Sequence, residues 1–482
     1  MTRLYSPLTL AIVGVLVTVV LLASPNAALW AASILMLPVC LWLLGGRRTY
    51  PVLVWLIGLS WLQIAADVLE ADMSGRSIGD GWMGRYREQA IYFSLCAIAA
   101  MAFGIRCGTR LGVRVFGPDV RTDASAAEDR SSVRLHRIVV AYFVSLILGQ
   151  VLGTVARALP GLTQPILALA LLRFVCIYLV TTTVLALECG YQWLLLIALA
   201  ELATGVGFFA SYKEPIFVML IGIAASRGTI STRKWIFAVA SAAAVVWMSL
   251  VWMTIRKDYR DYIFANPLEQ RLEWLAQRFF VDPIDYREAA IRLVQRVGYT
   301  DLYAQLLARI DLGAVPKNVV RYQAALEHVL SPRILFPDKA ALNDSKLTSA
   351  LLGFEIDKDT SIGIGFVAEA HLDFGFPGSL LPLFILGFMI GGTAQYFMTR
   401  RAPLIIREAF TTASLFMAFP FEANIDKALG AYITACLVMA LVLKFGYPMI
   451  ARWLAGAGHP TRIEQAAGYT QTQGGTDARL AR

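Results

Sequence analysis

Long apolar runs recur twelve times between Leu8 and Tyr447, most of them about 16 to 23 residues, and they constrain this chain more than any motif in it. A helix of that length crosses the roughly 30 Å hydrocarbon layer while satisfying its own backbone hydrogen bonds. The runs read as spans 8–23, 28–45, 51–67, 89–105, 138–157, 164–187, 192–210, 215–226, 235–254, 376–397, 409–420 and 429–447. With 57% of 482 residues apolar, 16% charged and a mean hydropathy of +0.61, the chain is too apolar for a soluble globule. The expected fold class is an all-α polytopic membrane protein with about twelve transmembrane helices. The first run is followed by "ASPNAA", a small-residue stretch like a signal-peptide cleavage site. A second span follows almost at once, which favours a retained helix.

Lys and Arg accumulate in cytoplasmic segments near helix ends. With the N-terminus inside, the inner segments hold Arg3, Arg47, Arg48, the seven Arg from Arg106 to Arg137, Arg227, Arg233, Lys234, Arg400, Arg401, Arg407 and the basic C-terminal tail. The short outer loops hold Arg76, Arg85, Arg87, Arg157, Lys213 and Lys427. Both termini are therefore expected in the cytoplasm. The net charge of +9 is mostly this topology signal, and basic residues dispersed among spans give no case for a nucleic-acid partner.

One outer loop dominates, dividing the chain into a bundle of nine spans (1–254), the loop (255–375), three further spans (376–455) and a disordered cytoplasmic tail (456–482). Leu268, Leu272, Leu275 and Phe279 recur at helical spacing, which predicts an amphipathic helix lying on the membrane or roofing the bundle. Further helical patterns run over 284–297 and 300–310. Arg292 and Arg296 are four apart and share a helix face, near Arg256, Arg260 and Arg333 in the same loop. Basic and acidic residues nearly balance there, so specific sites explain the arginines better than bulk attraction. In "SPRILFPDKAALNDSK", Pro332 and Pro337 bracket a turned ribbon that displays Arg333 and Lys339, and Arg matches phosphate oxygens two at a time.

None of the six Cys falls in the expected outer loops, so disulfides are not expected. CxxC, HExxH and a P-loop are absent, which leaves no dedicated metal or cofactor motif, and "GRSIG" at 75–79 lacks the strand-to-helix turn a nucleophile needs. Arg173 and Glu201 fall inside spans at similar depth, where an unpartnered charge costs on the order of 2.5–3.5 kcal/mol. Antiparallel neighbours can pair them. Alternatively, Arg173 underlies an anionic ligand. Lys213, Glu422, Asp426 and Lys427 are further candidates for lining a cavity.

"LSPRILFPDKAALNDS" at 330–345, followed by "GIGFVAEAHLDFGFPGSLLPLFILGFMIGG" at 363–392, resembles the bacterial Wzy-type oligosaccharide repeat-unit polymerases and related exopolysaccharide polymerases. "IRKDYRDY" at 255–262 and "SRG" at 226–228 are weaker echoes. The resemblance implies a metal-independent glycosyltransferase of the inner membrane with a C-type architecture and no cofactor. Such an enzyme transfers a growing glycan from undecaprenyl diphosphate to the non-reducing end of a new lipid-linked repeat unit, with a chain-length regulator and a flippase as candidate partners. It also implies substrate-binding roles for Arg256, Arg260 and Arg333, with Arg292 and Arg296 matched by position in the loop alone.

An acceptor hydroxyl needs a base. Glu369, His371 and Asp373 alternate along "AEAHLDFG" at the expected outer end of the tenth span, and Glu369 is the first choice. In an extended chain all three face one side; in a helix, Glu369 and Asp373 do. The competing readings are an O-antigen ligase and a polysaccharide transporter or flippase. A single dominant outer loop without internal repeats argues against the transporter.

Overall fold

The computed structural model describes residues 23–45, 49–118, 134–205, 213–226, 232–316, 319–331, 344–355 and 362–455, with single positions 19, 336 and 339. These residues form helices, and no strand occurs among them. In chain order the helices are α1 (Ala27–Leu43), α2 (Pro51–Met73), α3 (Gly84–Phe116), α4 (Leu135–Ala158), α5 (Thr163–Ala170), α6 (Leu172–Leu187), α7 (Tyr191–Gly205), α8 (Lys213–Ala225) and α9 (Thr232–Ala265). They continue with α10 (Leu268–Phe280), α11 (Tyr286–Val297), α12 (Thr300–Asp311), α13 (Arg321–Leu330), α14 (Asp344–Leu352), α15 (Phe366–Phe374), α16 (Leu380–Met398), α17 (Leu404–Leu415), α18 (Ile425–Leu441) and α19 (Tyr447–Ala455).

Among the described residues, seven helical segments are long and apolar enough to cross a membrane: α2, α3, α4, α5 with α6, Val239–Arg256 within α9, α16, and Ile425–Ala451. Helix α1 and the segment Tyr191–Thr204 are apolar but shorter. On α4, Val140, Val144, Ile147, Val151 and Val155 form an exposed apolar stripe at helical spacing, as suits a lipid-facing surface. The chain is thus a multi-pass membrane protein. The expected span 8–23 and the tail 456–482 lie outside the described residues.

Helix α3 packs along α16 through glycines on both partners. Gly104 and Gly108 lie against the backbone of Phe384 and Phe388, while Gly387 and Gly391 lie against that of Met101 and Ile105. A Cβ at any of the four would collide with a main-chain oxygen. Lipid supplies little hydrophobic drive between helices, so close backbone approach at small residues is what holds such a pair.

Several boundaries differ from the sequence expectation. The expected span 164–187 is broken at Leu171 into α5 and α6, and the run 409–420 is helical only as far as Leu415, as part of α17, which begins at Leu404. Helix α9 continues about three turns beyond residue 254, so the loop's first residues extend the span. The tenth span begins at Leu380 because Gly375, at φ 61°, turns the chain. Glu369, His371 and Asp373 consequently sit on α15, a separate nine-residue helix, rather than on the end of a span.

The three helices read from the loop's periodicity are present as α10, α11 and α12. Asp285 caps α11, accepting from the backbone N–H of Arg287 and Glu288 at 3.0 Å each. Helix α10 packs on α9: Leu275 is buried with Val251, Ile255 and Tyr259, and Leu272 stays exposed. The loop helices pack on one face of the bundle, with α11 on α2, α12 on α3, and α13 on α15 and α18.

Candidate functional site

Helix α13 brings an arginine into the groove between α15 and the start of α18. Arg321 donates from Nε to Oε1 of Glu369 at 3.0 Å and from Nη2 to Oδ2 of Asp426 at 3.0 Å. The side chains are 16%, 0% and 7% exposed, so the clamp is withdrawn from solvent. Glu369 has no spare oxygen, because Oε2 accepts the backbone N–H of Ile425 at 2.6 Å. The next residue of α13 docks the same way: the Tyr322 N–H donates to Oδ2 of Asp373 at 2.7 Å, and its hydroxyl to the Phe366 carbonyl at 2.8 Å. Glu369 and Asp373, four apart on α15, therefore face α13 side by side.

The backbone entering α13 is strained. Val320 lies at φ 54°, ψ 36°, a left-handed conformation disfavoured for a β-branched residue and costing on the order of 1–3 kcal/mol. The docking of Arg321 and Tyr322 holds it there. Two carboxylates share one guanidinium, and burial, opposed by Arg321, pushes Glu369 up to about 7. Arg321 keeps its charge because the two carboxylates outweigh the burial that works against it. Asp373 is 7% exposed, and its Oδ1 is buried without a hydrogen-bond partner.

His371 faces away from this cluster. Its Nδ1 lies 2.9 Å from the hydroxyl of Tyr303 on α12, and its ring stacks on Phe93, which stacks in turn on Phe376. The three residues of "AEAHLDFG" therefore serve two different surroundings. The rim near α18 is tied to α2 and α12: Gln63 donates to Glu422 at 2.5 Å, and the Tyr299 hydroxyl donates to the Glu422 carbonyl at 3.2 Å.

The other expected site residues are scattered. Arg173 meets Glu201 at 3.2 Å and Glu214 at 3.8 Å, and Tyr142 donates to Glu201 at 3.1 Å, so the matched depth of Arg173 and Glu201 does produce a pair. Arg292 is exposed and bridged to Glu288 at 2.5 Å. Arg296 is exposed on the same helix, and Arg256 is half-buried on α9. Lys339 donates to the carbonyls of His328 and Ser331, the latter at 2.8 Å, which makes it a C-terminal cap for α13. Arg333, most of its ribbon and the side chain of Arg260 lie outside the described residues. Among the described residues, no group of three or more His, Cys, Asp or Glu is arranged to hold a metal ion.

Sequence reasoning passed over Arg321 and Tyr322, and placed Asp426 only among candidate rim charges. No local pattern sets Arg321 apart from other loop arginines, since its partners lie 48 and 105 residues away. No family model, curated protein or solved structure matches the chain.

Proposed function

We propose that this chain is an integral-membrane glycosyltransferase that lengthens a lipid-linked glycan, moving it from undecaprenyl diphosphate to the non-reducing end of an incoming lipid-linked unit. In this reading it is a twelve-span protein of the bacterial inner membrane, with both termini in the cytoplasm and the 255–375 loop outside. The observation that carries the reading is a buried acidic group, Glu369 and Asp426 on Arg321 and Asp373 on the Tyr322 N–H, where a loop helix meets α15 and the start of α18. A head group at the membrane surface would meet the protein there. Buried carboxylates accept hydrogen bonds from sugar hydroxyls and can take the proton that an attacking hydroxyl must lose.

One guanidinium already shared by two carboxylates is a poor cradle for a diphosphate. The leaving group's charge falls instead to other cations, for which the resemblance offers Arg256, Arg260, Arg292, Arg296 and Arg333. Arg173 serves the bundle as the partner of two glutamates.

The test is deletion of the gene in its own host, with surface glycan resolved on a gel, followed by assay of the purified chain in nanodiscs. A polymerase leaves glycan capped with a single unit in the deletion strain, and the purified chain lengthens lipid-linked glycan extracted from it. Full-length polymer stranded on the carrier would instead identify a ligase. Movement of single units across a vesicle membrane without lengthening would identify a transporter. Orientation is read separately: Cys placed at Leu312, which is 71% exposed, should react with an impermeant maleimide in intact spheroplasts.

A further inference from the structure

Asp373 combines two features that a structural carboxylate does not need. One oxygen, Oδ2, is held by the Tyr322 N–H at 2.7 Å, which fixes the side chain's direction. The other, Oδ1, is buried and lacks a hydrogen-bond partner among the described residues. Leaving such an acceptor unsatisfied costs about 1–3 kcal/mol, a cost that native structures rarely bear without a reason. Glu369, by contrast, has Oε1 and Oε2 both occupied and is 0% exposed. Of the two carboxylates on this face of α15, only Asp373 has capacity left for a ligand.

Aromatic surface lies beside it. Phe374, the next residue, is 51% exposed, and its ring meets that of Tyr322 edge to face at 5.9 Å between centroids. A large exposed ring next to a buried, half-satisfied carboxylate is the chemistry that recognises a sugar. The apolar face of a pyranose stacks on the ring while a hydroxyl donates to the carboxylate.

The geometry points to an acceptor-sugar subsite made by Asp373, Phe374 and Tyr322, in which Oδ1 of Asp373 receives the hydroxyl of the terminal sugar of the incoming unit. This rests on the glycosyltransferase reading. In the step, the hydroxyl proton passes to Asp373 Oδ1 and the hydroxyl oxygen bonds to the anomeric carbon of the donor. The bond from that carbon to the diphosphate oxygen breaks, its electron pair leaving with the lipid diphosphate. The proton on Asp373 then returns to solvent. Glu369 and Arg321 are positioning residues: they hold α13 so that the Tyr322 N–H points at Oδ2.

The experiment uses the full chain in nanodiscs with lipid-linked glycan extracted from cells lacking it. The rate of lengthening is followed against the concentration of the single-unit species at fixed polymer donor. Asp373→Asn should lower kcat by about 10²–10⁴-fold with KM for the single-unit species within threefold, and Asp373→Glu should restore part of the rate. Phe374→Ala, at a position 51% exposed, should raise KM for the single-unit species at least tenfold with kcat within threefold. If Asp373→Asn fails to fold, the Phe374→Ala result alone decides. Wild-type lengthening with an unchanged KM in Phe374→Ala overturns the subsite and leaves the polymerase reading intact. So does an Asp373→Asn variant that keeps its kcat. Absence of lengthening by the wild type takes both down.

Discussion

Asp67, on the membrane-spanning helix α2, is the cap of a loop helix: its Oδ2 accepts from the Thr300 N–H at 2.6 Å and from the Thr300 hydroxyl at 2.7 Å. The same oxygen accepts the Tyr299 N–H at 3.0 Å, so it satisfies two orphan donors at the start of α12. A cap is worth about 0.5–2 kcal/mol, and this one also docks the loop on the bundle. Asp67→Ala should therefore expose residues 299–311 to faster amide exchange and lower the melting temperature. Gly298→Ala should do the same, because a Cβ there would run into the Asp67 carboxylate. Unchanged protection over α12 in both variants would mean that the loop is held by other contacts.

Arg173, on a segment long enough to cross a membrane, and Glu201, on a shorter apolar helix, form an ion pair, with Glu214 at 3.8 Å from the same guanidinium. Removing one member leaves a charge without its partner, which costs about 3–5 kcal/mol in buried pairs. Arg173→Met or Glu201→Gln alone should reduce folded protein sharply, and the double variant should recover much of it. Additive losses in thermal unfolding would show that the two side chains are not energetically coupled.

How much of this was readable beforehand depends on the range of the interaction. Periodicity located α10, α11 and α12, because Leu272, Leu275 and their neighbours report a helix through residues three and four apart. The Arg173–Glu201 pair followed from depth, since a membrane fixes one coordinate in advance. Two kinds of information were missing. Arg321 finds Glu369 and Asp426 only after three helices have docked, and nothing near Arg321 in the chain encodes that. Lys339 looked like a ligand contact and instead caps a helix end, because the carbonyls it needs appear only when α13 terminates at Leu330. The α3–α16 contact was present in the letters, as Gly104, Gly108 and Gly112 at every fourth residue against Gly387 and Gly391. That spacing is the signal that was passed over.

The α3–α16 contact is open to test with one control built in. Gly108→Val and Gly387→Val each force a side chain into the partner's backbone, which has no flexible end to move aside. Both should abolish monodisperse folded protein. Gly392→Val, on the same helix with nothing within 4 Å of its added Cβ, should behave as wild type. Equal yields from all three would contradict the packing described.

Glu369 supplies a pH dependence with a definite sign. Burial raises its folded-state value to about 7 from an ordinary 4.5, so between those values the folded protein holds a proton that the unfolded chain has lost. Stability on account of this group is complete below about 4.5 and falls as pH rises through 7, by up to about 3 kcal/mol. Melting temperature should decline over pH 5–8 in the wild type and decline less in Glu369→Gln, which keeps an amide at the same place. A wild-type curve that rises over this range, or one that Glu369→Gln leaves unaltered, would show that the carboxyl is not protonated in the folded state.

Arg321 separates charge from geometry at the proposed site. Its fork reaches Glu369 with one nitrogen and Asp426 with another, whereas an ammonium is a single point that cannot take both directions. Arg321→Lys keeps the charge that balances the acids, so the fold should survive, but α13 loses the angle that aims the Tyr322 N–H at Asp373. The expected result is folded protein whose kcat for glycan lengthening falls at least tenfold while KM for the single-unit species stays within threefold, because Asp373 has lost its fixed donor. Arg321→Met should be worse in stability as well, since it strands Glu369 and Asp426 together, and adding Glu369→Gln with Asp426→Asn should recover the fold without the activity. If Arg321→Lys lengthens glycan with the wild-type kcat and KM, the clamp is a packing device and the aim of Asp373 does not depend on it.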